Sequence, residues 1–201
     1  MVRVLLAGLL GGLVIFFCGA AVHMGLNLES RTMMDLPDEP KFGGLITKNG
    51  LAPGLYAYPG YEQGLTLTGE ARAAWEKQFI ERYQAGPVGI LLVGPSGEEP
   101  MGAKQLQGEF VADVIAALIA AILLSQTAPG LSFFRRWSMV ALLAPLSWAS
   151  LTYSYYLWYR FPFNFILDGL FGAIIEWSIA GLVIAALVKP KTTQPTTPPA
   201  A

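Results

Sequence analysis

The sequence contains very few side chains that hold metals or redox groups: one cysteine, Cys18, and one histidine, His23, in 201 residues. A lone cysteine excludes an intramolecular disulfide and any CxxC redox or zinc motif. A lone histidine excludes a His-pair metal motif and the ligation of haem by two histidines of one chain. Lysine and arginine are scattered without a basic stripe, so the chain lacks the electrostatic signature of nucleic-acid binding.

Motifs of catalysis and cofactor binding are also missing. The sequence has no nucleophile motif, phosphate loop or dinucleotide fingerprint. The stretch GPSGEE at 94–99 lacks the lysine and the following helix that a phosphate loop requires, and it is more simply a hairpin turn. We therefore assign no catalytic residue, no cofactor-binding residue and no cofactor, and an enzyme is the least favoured class.

Apolar residues, by contrast, are abundant. Hydrophobic residues make up 54% of the chain and charged residues only 13%, and the mean hydropathy is +0.49. This composition disfavours a soluble globular protein. The apolar runs predict an α-helical integral membrane protein with four transmembrane helices and a small α+β extramembrane domain between helices 1 and 2.

The first apolar run predicts a transmembrane helix over 1–26. The run from Val4 to Val22 is about as long as a bilayer-spanning helix, and we interpret it as a retained signal-anchor. A cleaved signal peptide is the alternative, because the residues at 19–21 are small enough for a signal peptidase. Gly8 and Gly12 form a GxxxG pattern, which allows another helix to approach closely.

Residues 27–107 form the one long polar region and predict an extracytoplasmic α+β domain. This region holds seven Lys or Arg and ten Asp or Glu, so it is mildly acidic. GLYAYPG at 54–60 and VGILLV at 88–93 predict strands, and GEARAAWEKQFIERYQ predicts an amphipathic helix with Trp75 and Phe79 on one face. A domain of roughly 80 residues is near the lower limit for independent stability, so we expect it to depend on the membrane region or on a partner.

Residues 108–188 predict a membrane region of three helices, at about 109–126, 137–158 and 163–188. Pro145 predicts a kink in the middle one of these. Aromatic residues crowd the stretch from Tyr153 to Phe163, a belt typical of the membrane–water interface; a stacking platform for a ligand is the less favoured alternative. The Pro- and Thr-rich stretch 189–201 predicts a disordered cytoplasmic tail.

The distribution of positive charge predicts the orientation. Four spans place both termini on one side of the membrane, and a cytoplasmic position for that side gathers Arg3, Arg135, Arg136, Lys189 and Lys191 there. Arg160 is then left in the short outer turn, and the acidic domain is translocated. We expect a multi-pass protein with both termini cytoplasmic and residues 27–107 extracytoplasmic.

The last apolar run, from Phe161 to Val188, carries two carboxylates inside its span. Asp168 and Glu176 are eight residues apart, and Asn164, Gly172 and Ala180 continue the same ridge in steps of four. Because a charge that faces lipid costs several kcal/mol, this ridge is expected to face protein or water. We therefore predict that the other helices pack around this one.

The predicted topology brings several polar groups together beneath the outer domain. They are His23, Glu109, Asp113, Arg160, Asp168 and, nearer the middle of the bilayer, Glu176. In a structural interpretation Arg160 pairs with Asp168 or Asp113, His23 bonds a carboxylate, and the group sets the helix register. This interpretation is favoured because no metal-ligand spacing is recognisable.

A functional interpretation stays open beside it. The candidate ligands of a divalent cation are His23, Glu109, Asp113 and Asp168. The candidates for handling protons are the four intramembrane carboxylates with Arg160, and protons would pass inward through Glu176.

Two functions follow from these patterns. The leading hypothesis is a structural or accessory interaction subunit of a cell-envelope complex, whose partners are the lipid bilayer and a membrane protein or a second copy of the chain, and no nucleic acid. The alternative is an oligomeric carrier of protons or cations. The segments GLYAYPG, GPVGILL and WYRFPFNF, with the Gly-rich first span, resemble those of small bacterial membrane proteins. That resemblance implies the bacterial cytoplasmic (inner) membrane and no particular activity.

Overall fold

The structure, a computed structural model, describes residues 1–189, which divide into two compact units. The helical unit comprises residues 1–33, 100–157 and 161–189, and the α+β unit comprises residues 34–99 and 158–160. Of the predicted disordered tail, everything after Lys189 lies outside the described residues.

The elements follow one another in a largely helical chain. In order they are α1 (Val2–Ala20), α2 (Glu39–Lys48), β1 (Gly54–Tyr58), α3 (Glu62–Thr66), α4 (Gly69–Ala85), β2 (Gly89–Val93), α5 (Ala103–Ser125), α6 (Phe133–Ala141), α7 (Leu143–Ser147), α8 (Tyr153–Tyr159) and α9 (Phe163–Leu187). One turn of π-helix, Ala21–Gly25, extends α1, and another, Trp148–Thr152, joins α7 to α8. A single 3₁₀ turn covers Ser30–Thr32.

Three helices of the described chain are long and apolar enough to cross a membrane. They are the stretch Val2–Thr32, which includes α1, and the helices α5 and α9. Each exceeds the roughly 20 residues that a bilayer core requires. The structure thus supports the prediction of a mostly helical chain with a small sheet and with helices that could span a membrane. Four spans and insertion into a membrane are not confirmed.

The predicted span at 137–158 is not one continuous helix. Pro145 has no N–H to donate to the carbonyl of Ala141, where α6 ends, and α7 starts two residues later. The broken segment is nevertheless fastened to α9. The indole N–H of Trp137 donates to the carbonyl of Ser178 at 2.8 Å, and that of Trp148 donates to the carbonyl of Ile166 at 2.6 Å.

Glycines allow α1 and α5 to pack closely, as the GxxxG pattern predicts. A Cβ atom at Gly8 would lie 2.9 Å from the Cα of Leu118, and one at Gly12 would lie 2.5 Å from the Cα of Val114. Both distances are too short for any side chain, so the two backbones can be this close only where glycine stands.

The core of the helical unit is built largely from alanine and branched aliphatic residues. Helix α9 packs against α1, α5, α6 and α7, so the prediction that the other helices pack around it is confirmed. The fully buried members of this core are Ala7, Ala117, Ala121, Ala180, Ile184 and Ala185.

The α+β unit contains a two-stranded antiparallel sheet and three helices, of which α4 is the longest. In the sheet, Gly54 lies opposite Val93 and Tyr58 opposite Gly89, so both predicted strands are confirmed. On α4 the rings of Trp75 and Phe79 stack with their centroids 5.1 Å apart. The predicted aromatic face of this helix is therefore real.

Candidate functional site

The polar ridge of α9 faces the interior of the helical unit. The carboxylate of Asp168 is only 3% exposed, and Ala180 is completely buried. A Cβ atom at Gly172 would lie 3.0 Å from Cγ1 of Val22, so α9 approaches the end of α1 closely at that point. The ridge therefore faces protein as predicted, apart from Asn164 at its start, which is exposed.

Asp168 is paired with an arginine that sequence reasoning missed. The Nε of Arg31 donates to Oδ2 of Asp168 at 2.7 Å, and Nη2 of the same guanidinium donates to Oδ1. The backbone N–H of Glu29 also donates to Oδ2 of Asp168, at 3.4 Å. This buried carboxylate thus accepts three hydrogen bonds, two of them from one planar guanidinium.

The predicted partner of Asp168, Arg160, lies instead in the α+β unit, where its guanidinium donates to the hydroxyl of Tyr83 at 3.3 Å. The sequence assigns Arg31 to the separate domain predicted at 27–107, whereas in the structure residues 1–33 belong to the helical unit. One signal pointed to Arg31: it follows the first apolar run by a few residues, on the side of the membrane where the predicted topology also places Asp168.

The loop that carries these groups has an unusual backbone. Asn27 and Glu29 have φ angles of 54° and 65°, which residues other than glycine rarely adopt. This conformation turns the chain back after the first helix, so that the N–H of Glu29 and the side chain of Arg31 both reach Asp168. A backbone held in a sparsely populated region costs of order 1–3 kcal/mol, and here the contacts with Asp168 offset that cost.

His23 lies between two carboxylates. Its Nδ1 is 3.7 Å from Oε2 of Glu29, and its Nε2 is 3.9 Å from Oε1 of Glu176. The side chain of His23 is half exposed, whereas that of Glu176 is 15% exposed. Gly19 makes room for this arrangement, since a Cβ atom there would already touch Oε1 of Glu176 at 3.4 Å. Glu176, for which the sequence predicts no cationic partner, therefore has His23 beside it.

A cavity of about 350 Å³ opens next to this histidine. Its polar lining is His23, Glu109, Asp113 and Glu176, and the remainder is mostly apolar, including Ile15 and Phe16. Four of the predicted site residues are thus brought together by α1, α5 and α9. Asp168, paired with Arg31, is not part of this lining, and Arg160 belongs to the α+β unit.

The arrangement places one imidazole between two carboxylates beside an acidic cavity. Among residues 1–189, no three side chains of the His, Cys, Asp and Glu types are placed to hold a metal ion together. An imidazole between two carboxylates can accept a proton from one side and release it to the other without moving far.

Comparison with known proteins adds no assignment. No family model matches the chain, and neither a curated protein nor a solved structure is significantly similar to it. The three long apolar helices are compatible with a membrane location.

Proposed function

We propose that the protein is an accessory interaction subunit of a cell-envelope complex, anchored in the bacterial cytoplasmic membrane by four spans. The observation that carries the proposal is an apolar surface on the sheet of the α+β unit. Leu55 in β1 and Leu92 in β2 are direct cross-strand partners and are 64% and 76% exposed. Two large aliphatic side chains so placed favour contact with another protein.

The unpaired outer edges of the sheet support the same proposal. Within the described residues β1 and β2 pair only with each other, so each strand has an outer edge with unpaired backbone groups. A two-stranded sheet is marginally stable by itself in water, and a third strand from a partner would complete it. The occupant we expect is an extended segment of a membrane-anchored protein that presents apolar side chains to Leu55 and Leu92.

The four-span placement is part of this proposal. The broken segment from Phe133 to Tyr159 has 27 residues, and a helical path of that length covers about 40 Å, more than a bilayer core of about 30 Å. Its break at Pro145 is tolerable in a membrane because neighbouring groups take up the freed backbone atoms.

The test is purification of the tagged full-length protein from native membranes in mild detergent, with mass spectrometry of what accompanies it. We expect a stoichiometric partner with the wild type, a loss of at least tenfold with Leu92→Lys, and retention with Leu45→Lys. Leu45, 50% exposed on α2, is the matched control, since the same charge is added to the same unit away from the sheet. A chain that emerges alone, or equal recovery with both variants, would contradict the proposal.

A second candidate function is proton handling by an oligomer, and the acidic cavity beside His23 is the observation that favours it. The variant Glu176→Gln separates the two functions. A carrier predicts that this variant loses pH-gradient-driven flux in proteoliposomes containing a pH dye, whereas Glu81→Gln, which removes an exposed carboxylate of α4, does not. An interaction subunit predicts flux no greater than in empty liposomes for every variant.

A further inference from the structure

The α+β unit contains a larger cavity, of about 550 Å³, whose walls include seven aromatic residues. The sheet, α3, α4 and residues 158–160 contribute to it, and its rings include Tyr56, Tyr58, Phe79, Tyr83 and Trp158. The volume falls within the range of 300–1,000 Å³ typical of small-molecule sites. Trp158, one of its lining residues, is 77% exposed.

The lining of this cavity contains two charged residues. Arg160 and Glu62 are the charged residues of the lining. The guanidinium of Arg160 donates to the hydroxyl of Tyr83 at 3.3 Å, which places it beside the last turns of α4. Arg160 also has a φ angle of 63°, a conformation unfavourable for a residue with a side chain. A strained backbone at a cavity wall is a feature of ligand sites.

We propose that this cavity binds a small molecule that consists of a planar aromatic ring system and a single anionic group, a carboxylate or a phosphate. Ring faces of the wall, such as those of Phe79 and Trp158, stack on the ring of the ligand. Arg160 recognises the anionic group, since a guanidinium presents donors in the planar fork that matches a carboxylate or a phosphate. Interfacial anchoring alone does not account for these rings, because they line a concave surface shared with the sheet.

The experiment measures binding of three naphthalene probes to the full-length protein in lipid nanodiscs by calorimetry, with empty nanodiscs as the blank. The probes are 2-naphthoate, the uncharged 2-naphthamide and the cationic 2-naphthylmethylammonium. We expect naphthoate to bind about tenfold more tightly than the amide, since a hydrogen bond to a charged group has this magnitude. The cation should bind most weakly. This comparison needs no variant, so a folding defect cannot obscure it.

Variants then locate the site. Arg160→Gln should remove the preference for naphthoate over the amide, and Arg160→Lys should keep part of it. Arg82→Gln, which removes the same charge from an exposed position of α4 outside the cavity lining, should keep all of it. Equal affinity of naphthoate and the amide for the wild type, or an unchanged preference in Arg160→Gln, would overturn the proposal. Binding of dodecanoate as tightly as naphthoate would overturn the requirement for a planar ring.

The cavity and the proposed docking surface can be tested separately. Leu55 belongs to both the docking surface and the cavity lining, so the separating variant is at Leu92, which does not line the cavity. Leu92→Lys should leave naphthoate binding unchanged. Arg160→Gln should in turn leave recovery of the partner protein unchanged. Failure of one proposal therefore does not imply failure of the other.

Discussion

At the scale of single residues, the stability of the helical unit depends on the pairing of its buried carboxylate, Asp168, with Arg31. Asp168 is 3% exposed, whereas the side chain of Arg31 is 57% exposed. The two partners are therefore not equivalent. Without Arg31 the carboxylate stays buried and has no cation beside it, whereas without Asp168 the guanidinium can be hydrated where it lies.

This asymmetry predicts an order of stabilities. Arg31→Gln should lower the free energy of unfolding more than Asp168→Asn does, because it leaves a buried carboxylate with no cation beside it. Asp168→Asn should cost about 1 kcal/mol, since the amide oxygen can still accept from Glu29 and Arg31. The double variant should be more stable than Arg31→Gln alone. Unfolding in detergent, followed by circular dichroism, measures all three; a double variant less stable than both single variants would refute the pairing.

The sequence predicted the ridge containing Asp168 but not the partner of Asp168, and the reason is physical. A repeat of four residues is a property of the helix itself, so the ridge of α9 could be identified directly. Pairing with Arg31 depends on the path of the loop after α1, and that path is set by the positive φ angles of Asn27 and Glu29. No local pattern of the sequence signals those angles at Glu29. The predicted pairing of Asp168 with Arg160, which is nearer to it in the chain, is therefore wrong.

At the scale of elements, the close packing of α1 against α5 depends on glycine. The Cβ atom that Gly12→Ala adds would meet the backbone of Val114, at 2.5 Å from its Cα, so the helices must separate. We expect a loss of about 1–3 kcal/mol in the free energy of unfolding, the usual cost of overpacking. The measurement is the same detergent unfolding experiment.

The control for this prediction lies on α5. Gly108 is also helical, but a Cβ atom added there would have no neighbour within 4 Å. Gly108→Ala should therefore stabilise the protein by up to about 1 kcal/mol, because alanine has the better helix propensity. Equal effects of the two substitutions would mean that helix propensity, and not the contact between α1 and α5, determines the result.

The elements also show where sequence patterns are insufficient. The helices α1, α5 and α9 and both strands follow from largely apolar runs. The structure has them close to the predicted positions, except that α5 begins at Ala103 and not at 109. The stretch at 137–158 is equally apolar, yet it breaks at Pro145 and again through a π-helical turn. Hydrophobicity predicts whether a segment can enter a membrane, whereas its continuity depends on local backbone hydrogen bonds and on contacts such as that of Trp148 with α9.

At the scale of the whole molecule, the broken segment decides the topology. If it crosses the membrane, the chain has four spans and residue 189 lies on the same side as the connection between α5 and α6. If it stays on one side, the chain has three spans and residue 189 lies on the same side as the α+β unit. The positive-inside rule favours four, because Arg135, Arg136 and Lys189 are then all cytoplasmic.

Cysteine accessibility tests this prediction directly. In a Cys18→Ser background, single cysteines are introduced as Lys48→Cys on α2, Ala128→Cys between α5 and α6, and Lys189→Cys after α9; the first two positions are exposed. With four spans, a membrane-impermeant maleimide added to intact spheroplasts labels the variant at position 48 and labels the other two only after the membrane is opened. Labelling at position 189 from outside, with position 128 protected, would instead establish three spans. The predicted arrangement with both termini cytoplasmic would then be wrong. Lys189 would also lie outside the cytoplasm, contrary to the positive-inside rule.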